Sequence, residues 1–444
     1  MHRYPITGGR SALSRHHLTC SGRNRDRRRA VPNRDLCVLS LHYPPETTGN
    51  APYTGALVEG LAADGHRVTA HTGHPHYPEW QIHEGYGGWR TFEHHDGVQV
   101  QRRLHYVPQP PRGIRRLVSE LSFGLRLVFA RWGSPRVVIA VTPSLFSTAL
   151  AVARLRLTPR RPALIVWVQD VYSLGMAELG EGVELVQRVT RWVERFTFNS
   201  ADRIVVIHQR FADFLTGQLG ISSSKITVIR NWTHLEPSDA ISDSSAAKAQ
   251  LGWPSGVTLA VHTGNMGGKQ GLENIVDAAR IADKTNAPVR FILVGEGSER
   301  RLLEESARGV ASLQFVDPLE PQKFRLALAA ADLLLVNEKP GVSAMSVPSK
   351  LTSYFDAGRP IVAATDPGGI TASEVTDADA GVVVPAGDPH ALLAAVLALR
   401  SDSVEAERYG LNGKRHRDKH LGQGEAIKQW ERVVTAVAAD RRLH

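Results

Sequence analysis

Two cysteines in 444 residues cannot build a disulfide framework, and with Cys37 inside an apolar run they fit a reducing compartment. Long apolar runs are also missing. The most apolar of the long uncharged stretches, Val137 to Ala153, is broken by Thr142-Pro143-Ser144 and reads as strand, loop and core helix rather than as a membrane span. Acidic residues are scarce in one place only: residues 1–34 hold nine Arg and one Asp, which is +8 of the net +9 and leaves +1 for the rest. The body of the protein is nearly neutral, so nucleic-acid binding has no support beyond this segment. Residues 1–34 have too little apolar surface to fold and read as a disordered basic extension. They lack the apolar centre of a secretory signal, so the expected location is cytoplasmic.

What is present is an α/β pattern. A length of 444 residues suits two domains of about 200 residues each. From Asp35, apolar runs alternate with helical patterns, the mark of parallel sheets covered on both faces. Strands are expected near Leu36–Leu41, Arg67–Ala70, Val137–Val141, Leu164–Val168, Arg203–Ile207 and Ile226–Ile229, then near Leu259–His262, Arg290–Val294, Leu313–Val316, Leu333–Val336, Pro360–Ala364 and Val382–Val384. A polar stretch separates the two series. The expected division is a domain over 35–233, a linker over 234–256, a domain over 257–424, and a last helix within 425–444 that could pack back across the hinge. Two Rossmann-like, doubly wound domains of this kind bind ligands beyond the carboxyl ends of their strands and face each other across a cleft.

Two segments of the second half suit anions. Val347-Pro348-Ser349-Lys350-Leu351 places a hydroxyl, an ammonium and free helix-start amides together, although Pro348 and Ser349 could equally start and cap an ordinary helix. Val261 to Glu273 reads as strand, glycine-rich turn and helix, with Gly264, Asn265, Gly268 and Gln270 in the turn and Lys269 as a mobile charge. Two anion loops suggest a diphosphate. Glu296, after the next strand, could meet nucleoside or sugar hydroxyls or be a solvated turn residue. In the first half, Gly49 and Asn50 open the helix after the first strand, with amides that would face the donor phosphates or sugar across the cleft, and Asp170 follows a buried strand as a sugar-hydroxyl partner, a base for the acceptor, or a helix cap.

These segments, with His42-Tyr43-Pro44-Pro45-Glu46, Thr72-Gly73-His74-Pro75-His76-Tyr77-Pro78, Trp167-Val168-Gln169-Asp170, Ile229-Arg230-Asn231-Trp232, Val294-Gly295-Glu296-Gly297 and Ala357-Gly358-Arg359-Pro360, resemble the retaining nucleotide-sugar glycosyltransferases of family 4 with the GT-B fold. The subset that builds bacterial surface polysaccharides, colanic acid and O-antigen among them, is the most similar. The resemblance spans about Asp35 to Arg415. It implies a nucleoside diphosphate sugar donor, UDP-sugar favoured, bound by the C-terminal half, and a glycan or lipid-linked acceptor bound by the N-terminal half, with no cofactor and no metal. Lys269, Lys350 and Ser349 would then meet the charge of the leaving diphosphate. One departure stands out: many members carry two glutamates where this chain has Met345 and Ser353, which leaves the ribose partner open.

Other readings carry less. His71, His74 and His76, with His83, His94 and His95 nearby, lack the helical spacing of a metal site, and Asp377-Ala378-Asp379 reads as a solvated turn. The basic, apolar helix within 113–132 suits either a core position or peripheral contact with the inner face of a membrane. A nucleotide-sugar epimerase of the same architecture is the alternative function. The glycines at 264, 267, 268 and 271 miss the dinucleotide spacing, which argues against a nicotinamide enzyme.

Overall fold

Runs that are aliphatic at every position, such as Val137–Val141 and Ala163–Val168, can satisfy both faces only inside a covered sheet, and each is buried throughout. The computed structural model describes residues 35–47, 49–110, 113–179, 184–233, 244–341 and 350–440.

The first sheet contains β1 (Asp35–Leu39), β2 (Arg67–Gly73), β3 (Arg90–His95), β4 (Val98–Arg103), β5 (Val137–Val141), β6 (Ala163–Val168), β7 (Arg203–Val206) and β8 (Ile226–Val228), ordered β3-β4-β2-β1-β5-β6-β7-β8. The second contains β9 (Thr258–Thr263), β10 (Val289–Val294), β11 (Leu313–Val316), β12 (Leu333–Asn337), β13 (Ile361–Thr365) and β14 (Gly381–Pro385), ordered β11-β10-β9-β12-β13-β14. Strand order reverses between β1 and β5 in the first sheet and between β9 and β12 in the second, and these switch points open crevices at the strand ends.

Two features depart from the sequence expectation. The outer strand of the first sheet is not parallel: β3 pairs antiparallel with β4. Neither strand was expected, because β3 is polar and half exposed, yet the connecting Asp96-Gly97 turn has positive φ at both residues, the dipeptide geometry of a tight hairpin. Within the stretch expected to be a linker, Ser244–Leu251 forms a helix. Its Ala247 is buried and its Lys248 pairs with Asp332 at 2.8 Å in the second half, because Asp332 also caps the Leu259 amide at the start of β9.

The last helix, Gln423–Asp440, lays Ile427, Trp430 and Val434 into the core of the first sheet. Trp430 meets Trp167 of β6 edge-to-face at 5.0 Å, and Trp167 stacks on Trp232 at 6.2 Å. His66 and Glu431 join the same contact at 2.7 Å. The halves also meet through ions: Arg230 holds Glu374 at 2.6 Å and His208 approaches it at 3.1 Å. Burial alone would raise Glu374, but these two partners hold its carboxyl below the ordinary range.

Candidate active site

At the switch point of the second sheet, β9 and β10 each run into a glycine-rich loop, and the two loops are zipped together. The amide of Gly264 donates to Val294 O (2.9 Å), that of Met266 to Glu296 O (2.8 Å), and that of Glu299 to Met266 O (2.9 Å). Only glycine fits at two points of this zipper. A Cβ on Gly295, whose φ is +143°, would overlap the Gly264 carbonyl, and one on Gly297 would overlap Met266 O. The turn after Gly264 is pinned from the other side by Asn337 at the end of β12, whose side-chain amide donates to Gln270 O and Gly271 O at 2.8 Å each. The result is a rigid, solvent-facing backbone loop in which the amides of Asn265, Gly268 and Lys269 donate to no described residue.

Lys350, the first residue of the helix Lys350–Ala357, reaches over this loop. Its Nζ lies 3.1 Å from His262 Nε2, and its Cε would be 3.9 Å from a Cβ on Gly264. Burial pushes the ammonium down to about 7, against the pull of Glu338. His262 donates from Nδ1 to Leu335 O (3.2 Å), so the Nε2 facing Lys350 is an acceptor, and burial beside Lys350 keeps the ring neutral. Glu338, bonded by Thr365 and Thr371, completes a polar floor. The sequence reading missed His262 and Glu338; both sit at strand ends, which was the available signal.

The other expected residues of this half divide. Gly264, Asn265, Gly268 and Lys269 are exposed around the loop, and Gln270 closes it by accepting from the Gly267 amide at 3.1 Å. Glu296 is exposed and ion-paired to Arg300 at 2.9 Å, which is the turn role. Ser349 and Met345 lie outside the described residues.

At the switch point of the first sheet, Gly49 adopts φ +64° and opens the helix Ala51–Ala63. The Asn50 side chain donates to Thr142 O (3.2 Å), tying the loop after β1 to the loop after β5. Asp170 is half-buried and its Oδ1 accepts from the Val171 amide at 2.8 Å, so part of its capacity goes to capping the turn after β6. Thr142 links back to the Asp170 carbonyl at 3.2 Å.

Beside them is a side-chain network that the sequence reading did not assemble. Glu120 is buried, receives Tyr172 Oη at 2.5 Å and the Phe146 amide at 3.1 Å, and faces Arg116 at 3.9 Å. Burial pushes its carboxyl up, against the pull of Tyr172 and Arg116. His42 Nδ1 donates to Glu46 Oε2 at 2.8 Å. The expected histidines scatter: His71 bonds Arg103, His74 bonds Gly88 O, and His94 and His95 lie on the exposed β3. Among the described residues, His42, Glu46 and His76 do bring ligand-type atoms within 4.8 Å of one another. Within the trio His42 Nδ1 bonds Glu46 Oε2, while His76 Nδ1 bonds the His74 carbonyl and Glu46 Oε1 accepts from the backbone amides of His76 and Tyr77.

Comparison with known proteins fits this layout. Residues 48–232 match the family described as glycosyl transferase 4-like domain, and residues 258–402 match glycosyl transferases group 1. A putative colanic acid biosynthesis glycosyl transferase, WcaI of Escherichia coli K12, is 32% identical over 336 residues, covering 73% of this chain and 81% of that protein. The probable glycosyltransferase WbjE of Pseudomonas aeruginosa is 24% identical over 63% of this chain and 70% of its own length. Among solved structures, a sucrose-phosphate synthase from Thermosynechococcus elongatus superposes with a TM-score of 0.71 at 19% identity, over 92% of this chain and all of that one. Anabaena HepE in complex with UDP-glucose superposes with a TM-score of 0.66 at 16% identity, over 91% of this chain and all of that one. At these identities the structural likeness establishes the shared GT-B fold.

Proposed function

The chain belongs to the family 4 glycosyltransferases, and from that premise we propose that it transfers a sugar, with retention, from a nucleoside diphosphate sugar to a glycan or lipid-linked acceptor of a surface polysaccharide. The observation that carries this reading is the zipped pair of glycine loops beneath Lys350, with amides at Asn265, Gly268 and Lys269 that donate to no described residue. Fixed amides and an ammonium that are already oriented meet the charge that develops on a leaving diphosphate without reorganising. The likeness to HepE, solved with UDP-glucose, supports a uridine nucleotide, and the likeness to one putative colanic acid biosynthesis glycosyl transferase supports a polysaccharide-building role, for which the donor sugar proposed is of hexosyl or N-acetylhexosaminyl type.

The N-terminal crevice then takes the acceptor, with Asp170 on its rim, while the Gly49 and Asn50 amides face the donor phosphates or sugar across the cleft. Among the described residues the carboxylate that acts on Lys350 is Glu338, which Thr365 and Thr371 hold in the floor of the site rather than free as a covalent nucleophile. Transfer therefore runs on one face of the sugar. The acceptor oxygen bonds to the anomeric carbon, the anomeric carbon–oxygen bond to the diphosphate breaks, and the hydroxyl proton passes to the departing phosphate oxygen. In this reading Lys350 and Lys269 offset the charge of the leaving group and the Ser349 hydroxyl donates a hydrogen bond to it, in place of a divalent ion.

Contact with a membrane surface has support in two helices. Ile114, Val118, Leu125 and Phe129 are exposed on or just past Ile114–Val128, and Leu185, Val186, Val189 and Trp192 are exposed on Glu184–Ser200, with arginines interspersed. Among the described residues, no helix is long and apolar enough to cross a membrane.

The test is to incubate the protein with UDP-glucose, UDP-N-acetylglucosamine or GDP-mannose, each with and without an octyl glycoside acceptor and with and without EDTA, and to follow products by NMR. The reading expects nucleoside diphosphate release and an α-configured sugar product from an α-configured donor, both insensitive to EDTA. A changed donor sugar with no nucleotide released would establish the epimerase instead.

A further inference from the structure

The buried carboxylate of Glu46 is 3% exposed and carries three hydrogen bonds. Its Oε1 accepts from the backbone amides of His76 (2.8 Å) and Tyr77 (3.0 Å), and its Oε2 accepts from His42 Nδ1 (2.8 Å). Burial alone would raise this carboxyl, but His42 and the His76 amide hold it below the ordinary range, so it is charged. The arrangement clamps the loop after β1 to the loop after β2. It also fixes one ring: in neutral His42 the proton sits on Nδ1 and Nε2 is left as an acceptor.

The one hydrogen bond of the His42 ring among the described residues is through Nδ1, which leaves Nε2 without a partner there, and the side chain is 13% exposed. Its surroundings suit a sugar. His42 stacks on His76 at 5.2 Å and meets Tyr77 edge-on at 5.3 Å, with Trp80 beyond at 6.3 Å from Tyr77. Half-buried Tyr77 and Trp80 offer apolar ring surface for the C–H face of a pyranose. Tyr77 also joins this group to the catalytic rim, since its Cε1 would lie 3.7 Å from a Cβ on Gly49.

We propose that His42 is an acceptor-binding residue: its Nε2 accepts a hydrogen bond from a hydroxyl of the acceptor sugar, and Glu46 is the positioning residue that sets the tautomer. The hydroxyl held is one that does not react, so the proton of the attacking hydroxyl still leaves with the phosphate. The inference rests on the transferase reading and assigns it a specificity-determining contact.

Three variants test it. His42→Asn keeps a donor for Glu46 but cannot reach as far as Nε2, whereas His42→Gln places an oxygen near that position. In Glu46→Gln the amide oxygen is held by the two backbone amides, so its NH2 faces His42 Nδ1 and forces the ring proton onto Nε2. With octyl glucoside, galactoside and mannoside as acceptor probes, His42→Asn and Glu46→Gln should raise acceptor KM at least tenfold. His42→Gln should recover part of that loss, and UDP should stabilise all three as it does the wild type. The 15N shifts of the His42 ring should show the tautomer reversed in Glu46→Gln, which a merely structural role would not produce. In the wild type, Nε2 should move when an octyl glycoside is added with UDP present. An unchanged acceptor KM in His42→Asn, or His42 shifts that no glycoside moves, overturns the assignment. A wild-type protein that no nucleoside diphosphate stabilises overturns the transferase reading beneath it.

Discussion

The two crevices lie at equivalent switch points of two sheets, yet they are built from different materials. The C-terminal one is mostly backbone: glycines at 264, 295 and 297 let two loops zip together, and a single lysine reaches over them. The N-terminal one is mostly side chain: His42 binds Glu46, Asn50 binds the Thr142 carbonyl, and Tyr172 binds Glu120. A diphosphate is the same in every nucleotide, so fixed amides suffice to hold it. An acceptor glycan is recognised by which hydroxyls it presents, and that takes side chains whose identity can vary.

The contrast can be broken most severely at glycine. Gly295→Ala should destabilise the protein by about 3 kcal/mol or more and abolish UDP binding, since both backbone strain and a clash with Gly264 apply. Gly49→Ala, with φ +64° but only an ordinary contact to Tyr77, should cost about 1 kcal/mol in urea unfolding. Equal losses would erase the distinction between a backbone-built and a side-chain-built crevice. Lys350→Ala should leave the fold intact and lower turnover by roughly 3 kcal/mol of transition-state stabilisation, about two orders of magnitude in kcat. Near-normal turnover would remove Lys350 from the site.

A smaller effect is expected at the join between the crevices. Glu374→Gln leaves Arg230 and His208 without their carboxylate and should lower stability by about 1–2 kcal/mol. The smallest is a pH effect. Free Lys350 titrates near 7 instead of 10.5, and a bound diphosphate favours the ammonium, so binding takes up a proton above pH 7. UDP affinity should therefore fall severalfold from pH 7 to pH 8. Because the unfolded chain binds the extra proton between 7 and 10.5, Lys350 also makes stability rise with pH through that window. Calorimetry in buffers of different ionisation enthalpy reads the proton uptake, which should vanish in Lys350→Ala.

The same contrast governs what the sequence revealed. Aliphatic runs announced twelve of the strands, and β3 escaped because Arg90–His95 is polar, although Asp96-Gly97 marked its hairpin. Glycines and lysines along one segment pointed to the C-terminal crevice. The contact of Lys350 with His262 was hidden because it spans 88 residues of chain and depends on the β9–β12 switch point. Glu46 stood in a recognised motif, but its role depends on the amides of His76 and Tyr77 turning toward it, which no local pattern encodes.

The most direct test is the thermal shift given by UDP on the wild type, Lys350→Ala and His42→Asn, side by side. At one hundred times its dissociation constant UDP should stabilise the folded state by about 2.7 kcal/mol. Division of labour between the crevices predicts that Lys350→Ala loses this shift and His42→Asn keeps it. A shift retained in Lys350→Ala, or lost in His42→Asn, would contradict it.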